Sequence, residues 1–222
     1  MKHMSVFEVI GPNMIGPSSS HTAGALRIAR VMHKLAPKNI ASVTFILYGS
    51  FAKTYRGHGT DKALVAGLLG MDQEDERIKE SFKYAKEKGL QYVFETSDSS
   101  QYKHPNTVEI VVTDTSGERL SITGSSIGGG SISIDKVNQM DVFFSGEYYT
   151  LLITHDDQPG VVAHITHCLS EHDINIAYMR LYREGKGKHA YTIIEADEPI
   201  KAEVIDQMIK SDKVHYAKII DL

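Results

Sequence analysis

Residues Asp157–Ile176 read DQPGVVAHITHCLSEHDINI, and three kinds of structure follow one another within that stretch. Asp157, Pro159 and Gly160 make a turn: the carboxylate can bond turn amides, the proline fixes the shape, and the glycine lets the backbone swing into a helix. Val161, Ile165, Cys168 and Leu169 then recur at helical spacing as far as Glu171, which puts Cys168 on the apolar side as a core residue. From Ile174 to Tyr182 the pattern changes to that of a strand.

Working outward, a strand over Tyr148–Thr154 leads into the turn. Beyond Tyr182 come the turn REGKGK, a strand over His189–Glu195, a helix over Ile200–Lys210 and a strand over Val214–Asp221. The order is βαββαβ, which predicts a ferredoxin-like layout of two helices on one face of a four-stranded antiparallel sheet. RNA-recognition motifs share that order but place aromatics on the third strand. Here that strand offers only Tyr191, and Asp and Glu outnumber Lys and Arg by 28 to 24.

Toward the amino end, Asn138–Gly146 breaks periodicity and marks the boundary between two domains, 1–145 and 146–222. The first domain starts with a loop, GPNMIGPSSSHTAG (Gly11–Gly24), too rich in glycine, proline and serine for regular structure. Ala25, Leu26, Ile28, Ala29, Met32, Leu35 and Ala36 then repeat at three- and four-residue spacing, with Arg27, Arg30 and Lys34 on the other side. Ser19 or Ser20 is the expected N-cap, and Pro37 stops the helix. A buried strand is predicted over Ser42–Gly49, and a short helix that Thr60 or Asp61 caps and Gly70 ends. A polar helix from about Gln73 to Lys88 is expected to start on Asp72. Strands follow over Gln91–Glu95, Thr107–Asp114 and Glu118–Thr123, the last two joined at Ser116-Gly117, and Gly128–Gly130 precede a further strand. The fold class is therefore α+β: a mixed α/β domain followed by the βαββαβ module.

Composition narrows the function. A hydrophobic share of 41% with 23% charged residues excludes disorder, collagen and coiled coil as descriptions of the whole chain. No apolar run approaches the ~18 to 20 residues of a membrane span, and MKHMSVFEVIG lacks the features of a signal peptide, so a soluble cytoplasmic protein is expected. A net charge of -4 without long blocks of one sign gives no footprint for nucleic acid or anionic membrane. The chain has one cysteine, Cys168, which excludes an internal disulfide and a cysteine-rich metal or cluster site built from this chain alone.

Chemistry is left to the serine run and the histidines. A hydrolase would need one of Ser18–Ser20 to attack with His21 as base. Adjacent residues at a helix start rarely meet in that geometry, and there is no G-x-S-x-G elbow. An anion-binding loop suits the residues better: Ser18, Ser19, Ser20, Thr22 and the free amides of a helix start can converge on a carboxylate.

Two resemblances sharpen this reading. DQPGVVAHITHCLSEHDINI resembles the opening of an ACT domain, a small regulatory module that often binds amino acids. It implies Asp157, Gly160, Val161 and Asn175 as ligand contacts, with Asn175 facing the helix start. Many such modules mainly pair edge to edge, so pairing of two β chains stands beside ligand binding. GPSSSHTAG, GHGTD (Gly57–Asp61), HPNT (His104–Thr107) and SIGGG (Ser126–Gly130), in that order, resemble the small domain of iron-sulfur-dependent L-serine dehydratases, specifically the β subunit of the two-subunit bacterial form. The resemblance implies a lyase of serine catabolism that feeds pyruvate to gluconeogenesis, an L-serine ammonia-lyase. Its 4Fe-4S cluster, whose open iron acts on the leaving hydroxyl, would be held by a partner α subunit, with no metal ligand in this chain. Carried over by motif, Ser18, Ser19, Ser20 and Thr22 bind L-serine together with Thr60, Asp61, Asn106, Gly128 and Gly129. His58 is the first choice for proton transfer, then His21 and His104, since both proton removal and hydroxyl departure call for a group titrating near neutrality. HPNT departs from the His-x-Asn-Gly-Met of single-chain relatives, which leaves the role of His104 less defined. A regulatory amino-acid sensor built from the same two domains is the alternative; it would use the carboxylate loop and have no need of His58.

Overall fold

The computed structural model describes residues 13–98, 102 and 104–222; His3 and the first two residues of the serine loop, Gly11 and Pro12, lie outside the described residues. The chain divides into two compact units, Met1–Gln139 and Met140–Leu222.

In the N-terminal unit the strands are β1 (Ile40–Tyr48), β2 (Gln91–Ser97), β3 (Asn106–Asp114), β4 (Arg119–Gly128) and β5 (Ser131–Val137). They lie in the order β2-β1-β3-β4-β5, with β1 parallel to β2 and the other pairs antiparallel. The helices are α1 (Ala25–Leu35), α2 (Gly49–Thr54), α3 (Thr60–Leu68) and α4 (Ser81–Glu87). The apolar stripe of α1 is the predicted one: Leu26, Ile28, Met32 and Leu35 are buried, and so are Phe45, Leu47, Ile110, Ile122 and Ile132 on the strands. Full burial of each such side chain stabilises by roughly 1.5–3 kcal/mol.

Several local expectations are corrected. The cap ahead of α1 is Ser18, not Ser19 or Ser20: its hydroxyl accepts from the His21 N–H, and Ser19–Gly24 form a π-turn that runs into α1. The polar helix from Gln73 to Lys88 does not form as one element. Asp75 caps a 3-10 turn over Glu76–Glu80 and Asp72 pairs with Arg30, so α4 begins only at Ser81. Short acidic side chains that bond their own backbone compete with helix propagation. The helix start at Thr60 is set by Gly59 in left-handed geometry rather than by a Thr60 or Asp61 cap. The α2 helix was not expected. Gly128 belongs to the end of β4, and Gly128, Gly129 and Gly130 all have positive φ, so the glycine run is a hairpin turn between β4 and β5.

The C-terminal unit opens with β6 (Met140–Phe144), a strand within the stretch read as aperiodic. Then come β7 (Tyr149–Asp156), α5 (Val161–Ser170), β8 (Ile176–Arg183), β9 (His189–Ala196), α6 (Ala202–Met208) and β10 (Val214–Ile220). The sheet order β10-β7-β9-β8, all antiparallel, is the predicted ferredoxin-like arrangement. Its core joins Leu151, Ile153 and Ile194 of the strands to Val161, Ile165, Cys168 and Leu169 of α5 and Val204 and Met208 of α6. Among the described residues no helix is long and apolar enough to cross a membrane.

Candidate active site

The four short motifs of the N-terminal unit, spread over more than a hundred residues of sequence, meet through a run of direct contacts. The π-turn carries His21 and Thr22. Thr22 is buried, and its hydroxyl donates to the His58 carbonyl at 3.0 Å. The same pair of loops brings the His21 and His58 rings to 4.8 Å between centroids. On its other side His21 meets the edge of Phe51 and shares a hydrogen bond of 3.0 Å from Nε2 to the Ser50 hydroxyl. Ser50 is fixed in turn by its N–H, which donates to the Pro105 carbonyl at 2.7 Å, and Gly49 pairs with Asn106. The serine loop, GHGTD and HPNT are thus tied around one histidine.

The fourth motif enters at the other end of the π-turn. A Cβ on Gly24 would lie 2.0 Å from the Ser126 Oγ, so the backbone there can approach β4 only because residue 24 has no side chain. Arg27 Nη1 donates to the Gly130 carbonyl at 3.1 Å. Thr107 of HPNT and Ser125, next to SIGGG, share a hydrogen bond of 2.9 Å, and Ser125 donates to Asp135.

Electrostatics separate the two histidines. Burial first, and the neighbouring His58 second, hold the His21 pKa below the ordinary value of 6.5. A protonated His58 beside it would disfavour a second positive charge on His21, which acts in the same direction as burial. His58 is exposed and lines a cavity of about 270 Å³ together with Gly16, Pro17 and Thr22. Arg56, Lys62 and Lys79 face the same space, which makes it attractive to an anion such as a carboxylate. Asp61 accepts from the Lys62 N–H, and its partial burial raises its pKa.

The structure therefore brings together His21, His58, Thr22, Gly24 and the backbone of Pro105 and Asn106. His104 is placed differently: its Nδ1 accepts from the Asn106 N–H at 3.2 Å, and its carbonyl accepts from Thr107. Among the described residues its ring meets neither His21 nor His58. Ser18 bonds the His21 backbone, and the hydroxyl that meets the His21 ring is that of Ser50 rather than Ser18. Gly128 and Gly129 serve the hairpin; a Cβ on Gly128 would touch nothing, so no close approach within this chain requires it. Three polar atoms of the motifs, Thr60 Oγ1, Asn106 Oδ1 and Ser126 Oγ, are buried without a hydrogen-bond partner.

Sequence reasoning missed Ser50 and the three cavity cations. For Ser50 the available signal was its place directly after Gly49 at the end of an apolar strand. Lysines and arginines scattered over three segments carry no such local mark.

In the C-terminal unit the Asp157 carboxylate accepts not from its own turn, as expected, but from the Gly187 N–H of the REGKGK turn, and pairs with Arg183; these contacts hold its carboxyl below the usual range. Gly160, at φ 89, opens α5, and Val161 is buried. Asn175 does not face the helix start. Its side-chain amide donates to Asp197 at 2.7 Å and its N–H to Glu198 at 2.9 Å, because the residues after β9 offer two carboxylates beside it.

Fold and site together define a two-unit α+β chain in which a small histidine-bearing domain precedes an ACT-type βαββαβ module. The family model described as "Serine dehydratase beta chain" matches residues 5–137, and that of the "ACT domain" residues 149–211. The chain belongs to the serine dehydratase beta chain family. It is 43% identical over 210 residues to a "Probable L-serine dehydratase, beta chain" of Bacillus subtilis (strain 168), covering 95% of this chain and 94% of that one. It is 40% identical over the whole of both chains to the "L-serine dehydratase, beta chain" of Peptoniphilus asaccharolyticus. A "D-3-phosphoglycerate dehydrogenase" of Synechocystis sp. (strain ATCC 27184 / PCC 6803 / Kazusa) matches 82% of this chain at 26% identity, but only 33% of its own length.

Proposed function

We propose that this chain is the β subunit of an L-serine dehydratase, acting with an α subunit that carries a 4Fe-4S cluster to convert L-serine to pyruvate and ammonia. The observation that supports it most is the meeting of four separated motifs around the His21–His58 pair, beside a cavity lined by three cations.

This chain does not fit a cluster of its own. Its one cysteine is buried in the core of the C-terminal unit, where burial raises the thiol pKa, so cluster ligands are assigned to the α subunit. The chain's own residues have three tasks. Arg56, Lys62 and Lys79 draw the substrate carboxylate into the cavity. His58, the histidine that lines it, exchanges a proton with the substrate as the α C–H bond and the bond to the β hydroxyl break. The aminoacrylate left by loss of water hydrolyses to pyruvate and ammonia. His21 is a positioning residue: held by Ser50 and packed 4.8 Å from the His58 ring, it orients His58, and burial lowers its pKa. Thr60, Asn106 and Ser126 offer buried polar atoms for substrate or subunit contacts.

The test is anaerobic co-expression with the cluster-bearing α chain, with serine-dependent pyruvate formation as the readout. His58→Ala is expected to lower turnover by ~10²–10⁴, the range for loss of a general acid or base. Activity that survives His58→Ala, His21→Ala and His104→Ala alike overturns the site assignment. Absence of activity with a reconstituted cluster favours the amino-acid sensor.

A further inference from the structure

Far along the chain from His21 and His58, the C-terminal unit holds a cluster of metal-ligating side chains that serine dehydration does not use. Asp156 ends β7, His189 opens β9 and His215 is the second residue of β10; these strands are neighbours in the order β10-β7-β9. Asp156 and His189 are direct cross-strand partners, so their side chains leave the same face of the sheet. His215 falls in the register shift between Val214 and Tyr216, and such an irregularity re-aims a side chain that a regular pleat would send elsewhere. As a result His215 Nε2 lies 2.8 Å from Asp156 Oδ1, and His189 Nδ1 lies 3.9 Å from the same oxygen. One ligand atom from each of the three residues lies within 4.8 Å of the others.

Two imidazoles and a carboxylate are the donor set of borderline divalent transition ions. With bonds of ~2.0–2.2 Å, tetrahedral ligand atoms stand about 3.4 Å apart, which falls between the two separations found here. Small side-chain movements would bring all three onto one ion. The His189 and His215 side chains are 58% and 40% exposed, which leaves room for water at the remaining positions. The backbone behind the site is held: the His155 ring turns to the buried side, donating from Nδ1 to the Asp156 carbonyl at 2.7 Å and accepting at Nε2 from Thr192 at 2.8 Å.

We propose that Asp156, His189 and His215 bind one divalent transition-metal ion, with water completing its coordination. The ion would fasten three strands together at the base of the Asp157–Gly160 turn into α5. The site uses no cysteine, and its test reads binding rather than turnover, so it stands or falls independently of the serine reaction.

The full chain, without a histidine tag and stripped of metal, is titrated with ZnCl2 and separately with CoCl2 by calorimetry, and the cobalt complex is followed by its visible absorption. One equivalent per chain is expected. His189→Ala, His215→Ala and Asp156→Asn should each weaken binding by more than about tenfold, the least that loss of even an outer partner of a metal ligand causes. Because both histidines are exposed, these variants should keep the wild-type circular dichroism and unfolding midpoint. Unaltered stoichiometry and affinity in the His189→Ala/His215→Ala double variant would overturn the proposal. So would a wild-type chain that binds neither ion with a Kd below the order of 100 μM.

Discussion

The two units treat their buried polar groups in opposite ways. In the C-terminal unit Thr150, His155, Thr192 and Glu195 are buried and all are bonded: Thr150 to the Tyr148 carbonyl, His155 to Thr192 and the Asp156 carbonyl, Glu195 to Arg180 and Ser145. In the N-terminal unit Thr60 Oγ1, Asn106 Oδ1 and Ser126 Oγ are buried and have no partner, one from each of three motifs. An unpaired buried polar group costs about 1–3 kcal/mol. Among the described residues, the buried side-chain polar atoms left unpaired are thus confined to three motifs of the N-terminal unit, where a bound group would supply the missing hydrogen bonds.

The largest expected effect tests the histidine pair at those motifs. If His21 acts through His58, the His21→Ala/His58→Ala double variant in the assembled enzyme should lose no more turnover than His58→Ala alone, ~10²–10⁴, because residues that act as a unit are not additive. A double loss equal to the product of the single losses would break the pair into independent parts. Next in size is Arg180→Ala. It leaves the Glu195 carboxylate buried without its 2.7 Å ion pair, and should destabilise the C-terminal unit by about 3–5 kcal/mol in denaturant unfolding. Smaller, and aimed directly at the contrast, are two matched threonine substitutions. Thr192→Val strips a partner from buried His155 and should cost about 1–3 kcal/mol. Thr60→Val removes a buried atom that has no partner, so the chain should gain up to about 1–3 kcal/mol of stability while activity of the assembled enzyme falls. Equal costs at the two positions would dissolve the comparison.

The smallest effect is one of pH. Because folding lowers the His21 pKa, the unfolded chain binds more protons, so stability rises with pH across the window up to 6.5 and is lost as pH falls below it. His21→Gln should flatten that part of the stability profile of the N-terminal unit, as followed by thermal unfolding at a series of pH values.

What could be read from the sequence follows the same division. Alternating strands and a helix with a clear apolar stripe made the βαββαβ order of the C-terminal unit legible, while β6 and the partners of Asp157 and Asn175 were not: Gly187, Asp197 and Glu198 are brought beside those two residues by strand pairing rather than by sequence neighbourhood. In the N-terminal unit the stripe of α1 and the strands were legible because burial repeats with the period of the element. The break before Ser81 was not, since it depends on Asp72 reaching Arg30 and on Asp75 bonding its own loop. At the site His21 and His58 stood out only through the motifs GPSSSHTAG and GHGTD and the family resemblance these carry. Ser50 and the cavity cations came from separate segments that only the folded backbone assembles.

The wide turn at Ser19–Gly24 also constrains how this gene can change. A helix advances about 100° per residue, so losing or gaining one residue between Ser18 and Ala25 would rotate the apolar stripe of α1 by that angle relative to the loop before it. Either Leu26, Ile28 and Met32 would leave the core or His21 would leave Ser50. Substitutions can be absorbed along this segment, but its length is fixed, and insertions and deletions should be confined to the exposed turns elsewhere, such as Ser116-Gly117.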